Sequence, residues 1–362
     1  MTERKNEMVN GFFDIEFHLD DLSRNGDPLV KLKSLIPWES FREPLSAVSE
    51  KERKSNAGRK PFDVILMLKI LVLQSLYNLS DDAAEYQIRD RLSFMRFLDL
   101  SLSDRVPDAK TIWLFRENLK ELDLVDPIFK RFDKYLREQG FIAQKGQIVD
   151  ASLVSVPKQR NTRKENEQIK QGNPPLANWS THKARQKDVD ARWTQKSGKN
   201  YYGYKNHIQV DAKYKIIRNY GITAASVHDK NVFPELLDRS NTNKNVYADS
   251  AYRTKDHEAE LIEKGFRPML QRKGCKNKPL STNEKKGNHT RAKVRCRIEH
   301  VFGIQVQRAG CLVLRTIGIA RAKTKIGLRN FSYNLDRYCT LRKAMAQTLG
   351  IEAKLSCGNR KI

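Results

Sequence analysis

Gln147-Ile148-Val149-Asp150-Ala151-Ser152-Leu153-Val154 is the stretch on which the fold turns. Its β-branched residues favour extended chain, and the first part of the run stops at a carboxylate, so it reads as a short strand ending in Asp150 with Ala151 to Val154 continuing after it. Upstream, Phe141-Ile142 is further strand material. Val246-Tyr247-Ala248 is a second brief apolar run, and it too stops at an acid, Asp249. Between the two acids, Tyr204 to Asp211 alternates, with Tyr204, Asn206, Ile208 and Val210 on one face. Lys215 to Thr223 is its hairpin partner around Asp211-Ala212-Lys213. Asp229 is placed to cap a helix through Phe233 and Leu237, which tolerates Pro234 near its start. Thr254 caps another helix, closed by Gly265, and Phe266 to Leu270 is a strand. A further helix carries Arg295, Glu299 and Phe302, and residues 322 to 342 form the last. Strand, hairpin, helix, strand, helix, strand, helix is the order of a mixed α/β domain with helices on both faces of a mixed sheet.

The chain has 362 residues, with 68 Lys and Arg against 43 Asp and Glu, a formal net charge of +25. Its length predicts two domains, and 39% hydrophobic residues are enough to build them. The longest apolar run, Val64 to Leu73, contains Lys69 and is too short to cross a bilayer. No secretory signal is visible at the N-terminus, and the five scattered cysteines suggest reduced thiols, so a cytoplasmic, nucleoid-associated protein is expected. The positive charge is uneven. Residues 1 to 157 and 207 to 266 are close to balanced, whereas residues 158 to 206 hold 12 basic against 4 acidic side chains, residues 267 to 298 hold 11 against 1, and residues 308 to 362 hold 12 against 2. Such blocks repel themselves unless a polyanion offsets them, which points to nucleic acid.

Outside the α/β region the pattern is helical. Residues 1–57 are a polar extension with a short apolar stretch, Leu29 to Trp38. Residues 58–140 read as helices in series: Phe62 to Tyr77, apolar on nearly every side and therefore buried; one capped by Ser80; and Ala109 to Leu122 after Pro107-Asp108. Their succession suits either a helix-turn-helix reading of a DNA end or an ordinary bundle. The α/β domain spans 141–345, carries a basic insertion at 158–200 that reads as loop or disordered, and is followed by a flexible tail at 346–362. Trp179 and Trp193 interleave with the insertion's cations as stacking residues would.

Two acids at strand ends, Asp150 and Asp249, and a third, Glu299, on a helix otherwise crowded with cations, suggest one pocket, because ligands gather at the carboxyl ends of neighbouring strands. Taken singly, each has an ordinary reading: Glu299 pairs with Arg295 one turn back, and the aspartates serve as caps or turns. Together they form a set of hard oxygen donors that selects two Mg²⁺ or Mn²⁺ ions, which can activate and stabilise the oxygens of a scissile phosphate. The order of strands and helices around these acids matches a ribonuclease-H-like core. Arg295 is placed to fix a carboxylate or touch a phosphate. Arg291, Lys293, Arg297, Arg308, Lys205 and Trp193 are the candidate DNA contacts. With no Gly-x-x-x-x-Gly-Lys-[Ser/Thr] loop, no nucleotide cofactor is expected, and no membrane partner either.

Ile148 to Ser152, Gly203 to His207, Ala225 to Asp229, Tyr247 to Tyr252 and Arg295 to Gly303 together resemble the motif set of DDE transposases of bacterial insertion sequences, in the branch of insertion sequence five. Gly58-Arg59-Lys60-Pro61 through Trp113-Leu114-Phe115-Arg116 resembles that family's helical N-terminal domain, and Leu328 to Leu335 its closing helix. The resemblance implies cleavage at transposon ends and strand transfer into target DNA, with Asp150, Asp249 and Glu299 as the metal-binding triad. It makes Arg295 the arginine of the family's Tyr, Arg, Glu, Lys signature, whose tyrosine and lysine positions fall here on Ala292 and Val306. It also implies double-stranded DNA partners, the terminal inverted repeats and the target, and at least a homodimer in the synaptic complex. Alternative readings are a ribonuclease-H-like nuclease that cuts without joining and a catalytically silent DNA-binding derivative. A tyrosine recombinase lacks a paired Arg and His set around Tyr201, Tyr202 or Tyr252, and a zinc site from Cys275, His289, Cys296 and His300 fits no familiar ligand spacing.

Overall fold

The computed structural model describes residues 13–48, 60–172, 178–275, 279–309 and 313–348. Gly58, Arg59 and the tail beyond residue 348 lie outside them. Six strands make one mixed sheet: β1 (Gln147–Ser155), β2 (Arg192–Lys196), β3 (Lys199–Asp211), β4 (Ile217–Ala224), β5 (Asn245–Ala248) and β6 (Arg267–Leu270). The long body runs β4-β3-β1-β5-β6, with β3 antiparallel to β4 and β1, and β1, β5 and β6 parallel. This is a ribonuclease-H-like sheet, and β2 folds back onto the start of β3.

Alternation assigns the faces. Ile148, Ile208 and Val210 pack in the large core with Ile298 and Val301 of α13 (Thr282–Ala309) and with α14 (Ile319–Thr348). Their neighbours Val149, Val246 and Ala248 point the other way, against α11 (Asp229–Leu236) and α12 (Lys255–Glu263). Gly203 lets β3 pass close to β1: its φ is +150°, and a Cβ there would lie 2.2 Å from the Val154 carbonyl oxygen.

The N-terminal helices belong to the same core as the Ile148 face. α1 (Asp14–Arg24), α2 (Pro28–Leu35), α3 (Arg42–Ser46), α4 (Val64–Tyr77), α5 (Asp81–Asp90), α6 (Leu92–Leu98), α7 (Ala109–Glu121) and α8 (Val125–Glu138) precede the sheet. Asp63 caps α4 by accepting from Ile65 and Leu66 N–H, and the left-handed Asn78 ends it. Its apolar residues have no polar side to turn outward, so nearly all are buried, and so is Lys69, whose Nζ meets the exposed Asp99 at 2.6 Å. Leu29, Leu32, Ile36, Trp38, Phe41 and Leu45 join that core, so the polar extension is packed structure over Leu29 to Leu45, whereas α1 buries none of its residues. α14 is its spine, touching α2, α4, α7, α8, β3 and β4. Asn330 exchanges amide hydrogen bonds with Asn206 of β3 at 2.9 and 3.0 Å, and Asn334 binds the backbone of Ile217, which pins α14 to the sheet.

The basic insertion departs from its loop reading. It holds α9 (Arg163–Lys170), started by a Thr162–Glu165 capping box, α10 (Thr181–Gln186), and the β2–β3 hairpin turning at Ser197-Gly198, both at positive φ. Trp179 is buried, its Nε1 donating to Glu165 at 2.8 Å, so it is not a free stacking surface. Among the described residues, no single helix is long and apolar enough to cross a membrane.

Candidate active site

Asp150 lies within β1 rather than at its end. The parallel partner β5 pairs only through Gln147↔Val246 and Ile148↔Tyr247; from Val149 to Val154 β1 runs along β3 alone, and at Ser155 it gains a parallel bridge to Val313. The acid therefore sits where β1 loses its neighbour on one side. It shares the face of Ile148, the side covered by α13. On β5, Val246 and Ala248 face the opposite core, so alternation carried one residue past the strand puts Asp249 on the side of Tyr247, the same side as Asp150.

α13 brings the third acid. Arg295 donates from Nη1 to Asp150 Oδ2 at 2.9 Å and from Nη2 to Glu299 Oε1 at 3.1 Å, joining strand and helix by one guanidinium. The i,i+4 spacing makes the second contact available to any such pair on a helix, whereas the first spans 145 residues and only the tertiary fold supplies it. Asp150 also accepts from the Ala151 N–H at 2.8 Å, and Asp249 from the Ser250 N–H and hydroxyl. Burial pushes the Asp150 carboxyl above its usual range, and the charge of Asp249 pushes the same way, against Arg295 and Lys196. Glu299 is the most open of the three, its side chain 60% exposed.

Around these acids the structure gathers further residues, to which pattern reading gave other roles or none. Tyr252 is 1% exposed, its hydroxyl has no hydrogen-bond partner among the described residues, and burial together with Asp150, Asp229 and Asp249 keeps the phenol protonated. Asp229 is the first residue of α11, whose N-cap is His228, so it is not the capping side chain expected from sequence. Its carboxylate instead meets Lys205 Nζ at 2.9 Å and lies 3.8 Å from Nδ1 of His207. Burial, chiefly, brings the His207 imidazole down to about 4, and its Nε2 shares a hydrogen bond of 2.9 Å with Thr223. Lys196, on the β2–β3 hairpin, is the second cation whose field reaches Asp150. A signal for part of this existed: Lys205 and His207 are two apart on one strand, hence on one face.

The remaining candidate contacts separate. Lys293 is exposed on α13, and Trp193 is 46% exposed, tilted on Tyr202 with Lys158 over its ring. Arg291 stays on its own helix with Asn288, Arg297 donates to the Ala212 carbonyl at 2.6 Å, and Arg308 pairs with Asp336 at 2.8 Å. Lys205 is held between Asp229 and the Val227 carbonyl, so its charge is used internally.

Asp150, Asp249 and Glu299 are hard oxygen donors of the kind that Mg²⁺ and Mn²⁺ take, and carboxylates drawn to one side of the sheet favour a divalent cation beside them. The donor chemistry therefore fits such ions. Among the described residues, no three His, Cys, Asp or Glu side chains are grouped closely enough to hold one; Arg295 stands as the local cation, and Glu299 is turned to it. The same finding leaves the zinc alternative without a site among those residues.

Comparison with known proteins adds a family. Residues 143–335 match the model described as a Transposase DDE domain, and residues 17–118 the one described as a Transposase domain (DUF772). A cryo-EM structure of a piggyBac transposase synaptic complex with hairpin DNA is similar at 12% identity, covering 92% of this chain and 82% of that one, with a TM-score of 0.42.

Proposed function

The chain belongs to the transposases with a DDE domain, and from that premise we propose that it hydrolyses phosphodiester bonds at transposon ends and joins the freed 3′ hydroxyl to target DNA. One observation carries the reading: Asp150 on β1 and Asp249, one residue past β5, lie on the same side of these neighbouring parallel strands, and Arg295 ties Asp150 to Glu299 on the helix that covers that side. Asp150, Asp249 and Glu299 would hold two divalent ions, and Arg295 the orientation of the carboxylates. Bound there, Mg²⁺ or Mn²⁺ would supply Lewis-acid stabilisation to the attacking and departing oxygens of an in-line displacement. The protein's own groups do the rest. Arg295 opposes the effect of burial on the Asp150 carboxyl, and the protonated Tyr252 adds no further negative charge to a site that must admit phosphate. The basic blocks draw the DNA backbone toward acids that would otherwise repel it.

The partners on this reading are the terminal inverted repeats and the target duplex, with at least two copies of the chain bringing two ends together. The test is cleavage of a duplex carrying the repeats that flank the reading frame, in Mg²⁺. Asp150→Asn, Asp249→Asn and Glu299→Gln should each abolish cleavage while end binding persists; cleavage retained by any of them removes that residue from the triad. Strand transfer from pre-cleaved ends then separates joining from cutting alone.

A further inference from the structure

A cleft lies between α7 and the start of α14. Two adjoining cavities of about 420 and 670 Å³ share Asp81, Arg116, Arg315 and Lys325, and Lys120, Arg321 and the half-exposed indole of Trp113 line the smaller one. The buried carboxylates there are already matched. Asp81 takes both Nη groups of Arg116, at 2.8 and 2.7 Å. Glu117 takes Arg321 through both oxygens at 2.8 Å and Lys120 at 2.7 Å. Asp82, also in the lining of the larger cavity, is exposed to water.

Arg315 and Lys325 are less fully matched, the charge of Asp81 reaching Lys325 without a direct ion pair. Among the described residues, neither Arg315 nor Lys325 has a carboxylate within ion-pair distance. Arg315 is exposed, whereas Lys325 is half-buried, and burial and then Arg116 push its ammonium below the usual lysine range. A half-buried ammonium beside an arginine is unfavourable for the free chain, and an anion entering the cleft relieves it. The lining holds more cations than carboxylates, and a concave wall concentrates that positive field more than a convex one does.

The cleft adjoins the strand that carries Asp150. Leu314 N–H donates to the Ser155 carbonyl, the last residue of β1, at 2.9 Å, so Arg315 begins where β1 ends. At about 3.3 Å per residue Asp150 is roughly 17 Å back along the strand, about five steps of a DNA strand at about 3.4 Å each.

We propose that this cleft is a second DNA-binding site, which takes phosphodiester groups of a strand on Arg315 and Lys325 and offers Trp113 as a stacking face. The inference rests on DNA being the substrate. The probe is a short duplex of random sequence, whose affinity for the full chain is measured against salt, with cleavage assayed separately. Replacing both residues (Arg315→Gln with Lys325→Gln) should lower the log–log salt slope by about 1.8, about 0.9 for each phosphate no longer neutralised, and Lys325→Arg should restore its share. Lys130→Gln, an exposed cation on α8, should leave the slope unchanged. Should the double variant fail to melt cooperatively, Arg315→Gln alone, at an exposed position, should lower the slope by about 0.9. A wild-type slope in a folded variant, or an equal drop in Lys130→Gln, overturns the cleft while leaving the transposase reading intact. A wild-type chain that binds no DNA overturns both.

Discussion

Glu117→Gln should unfasten α7 from α14, and the size of the effect follows from its partners. The Glu117 carboxylate, on a nearly buried side chain, is held by Arg321 and Lys120, and the Arg321 hydrogen bonds chiefly bring it down to about 2. Relative to its ordinary value of 4.5, that shift corresponds to up to about 3 kcal/mol at neutral pH. Arg321 is 40% exposed, so solvent screens part of it and a loss of about 2 to 3 kcal/mol is expected. The sign is that of a depressed acid: the contribution is complete above the unfolded value and fades as pH falls toward the folded one. Between pH 7 and pH 3.5 the difference between wild type and variant should shrink by about 1.4 kcal/mol, because the unfolded chain takes up the proton first. Urea unfolding followed by circular dichroism at both pH values reads it directly. A difference below about 0.5 kcal/mol at pH 7, or one of equal size at both, refutes the assignment of this ion pair to the α7–α14 joint.

Magnesium should raise the melting temperature of the wild-type chain and leave Asp150→Asn unmoved, as read by calorimetry; equal rises would place the ion elsewhere. Tyr204→Phe removes an O–H that reaches both oxygens of the buried Asp188, at 2.8 and 2.7 Å, and leaves it only the N–H groups of Asp190 and Ala191. A loss of about 1 to 3 kcal/mol in urea titration is expected, and no loss would show that Asp188 is served otherwise. His207 should remain neutral at pH 5.5 in imidazole NMR spectra, since its folded value is about 4. Because that value is depressed, stability from this group falls as pH drops from 6.5 toward 4, and a midpoint near 6.5 would contradict its burial.

Much of the catalytic half is legible because strands and their acids depend on near neighbours. The alternation of Tyr204 to Asp211, the apolar run before Asp249 and the Thr254 cap are all written locally, and each element stands where its pattern puts it. The burial of α4 follows equally from a helix with no polar side. What pattern alone misses depends on distant partners. Asp229 looks like a cap until β3 brings Lys205 within 2.9 Å, and Tyr252 is one more apolar-looking residue until the acids are folded around it. The β2–β3 hairpin escapes for another reason: apart from Trp193, Tyr201 and Tyr202 its strand residues are polar or charged, and the Ser197-Gly198 turn is the main local mark of it. The extension shows the same limit, since Leu29, Leu32 and Ile36 need α14 as a partner before their spacing acquires meaning.

The place of α14 as the spine sets an order on biosynthesis. A ribosome releases this helix after every element it covers, so α4, apolar around its whole circumference, emerges more than two hundred residues before one of its main partners exists. Until then that rod has to be sheltered by provisional contacts or by a chaperone. A message truncated ahead of Ile319 would yield more than a shortened protein: it would leave a sticky cylinder with no lasting cover, a product destined for aggregation or proteolysis.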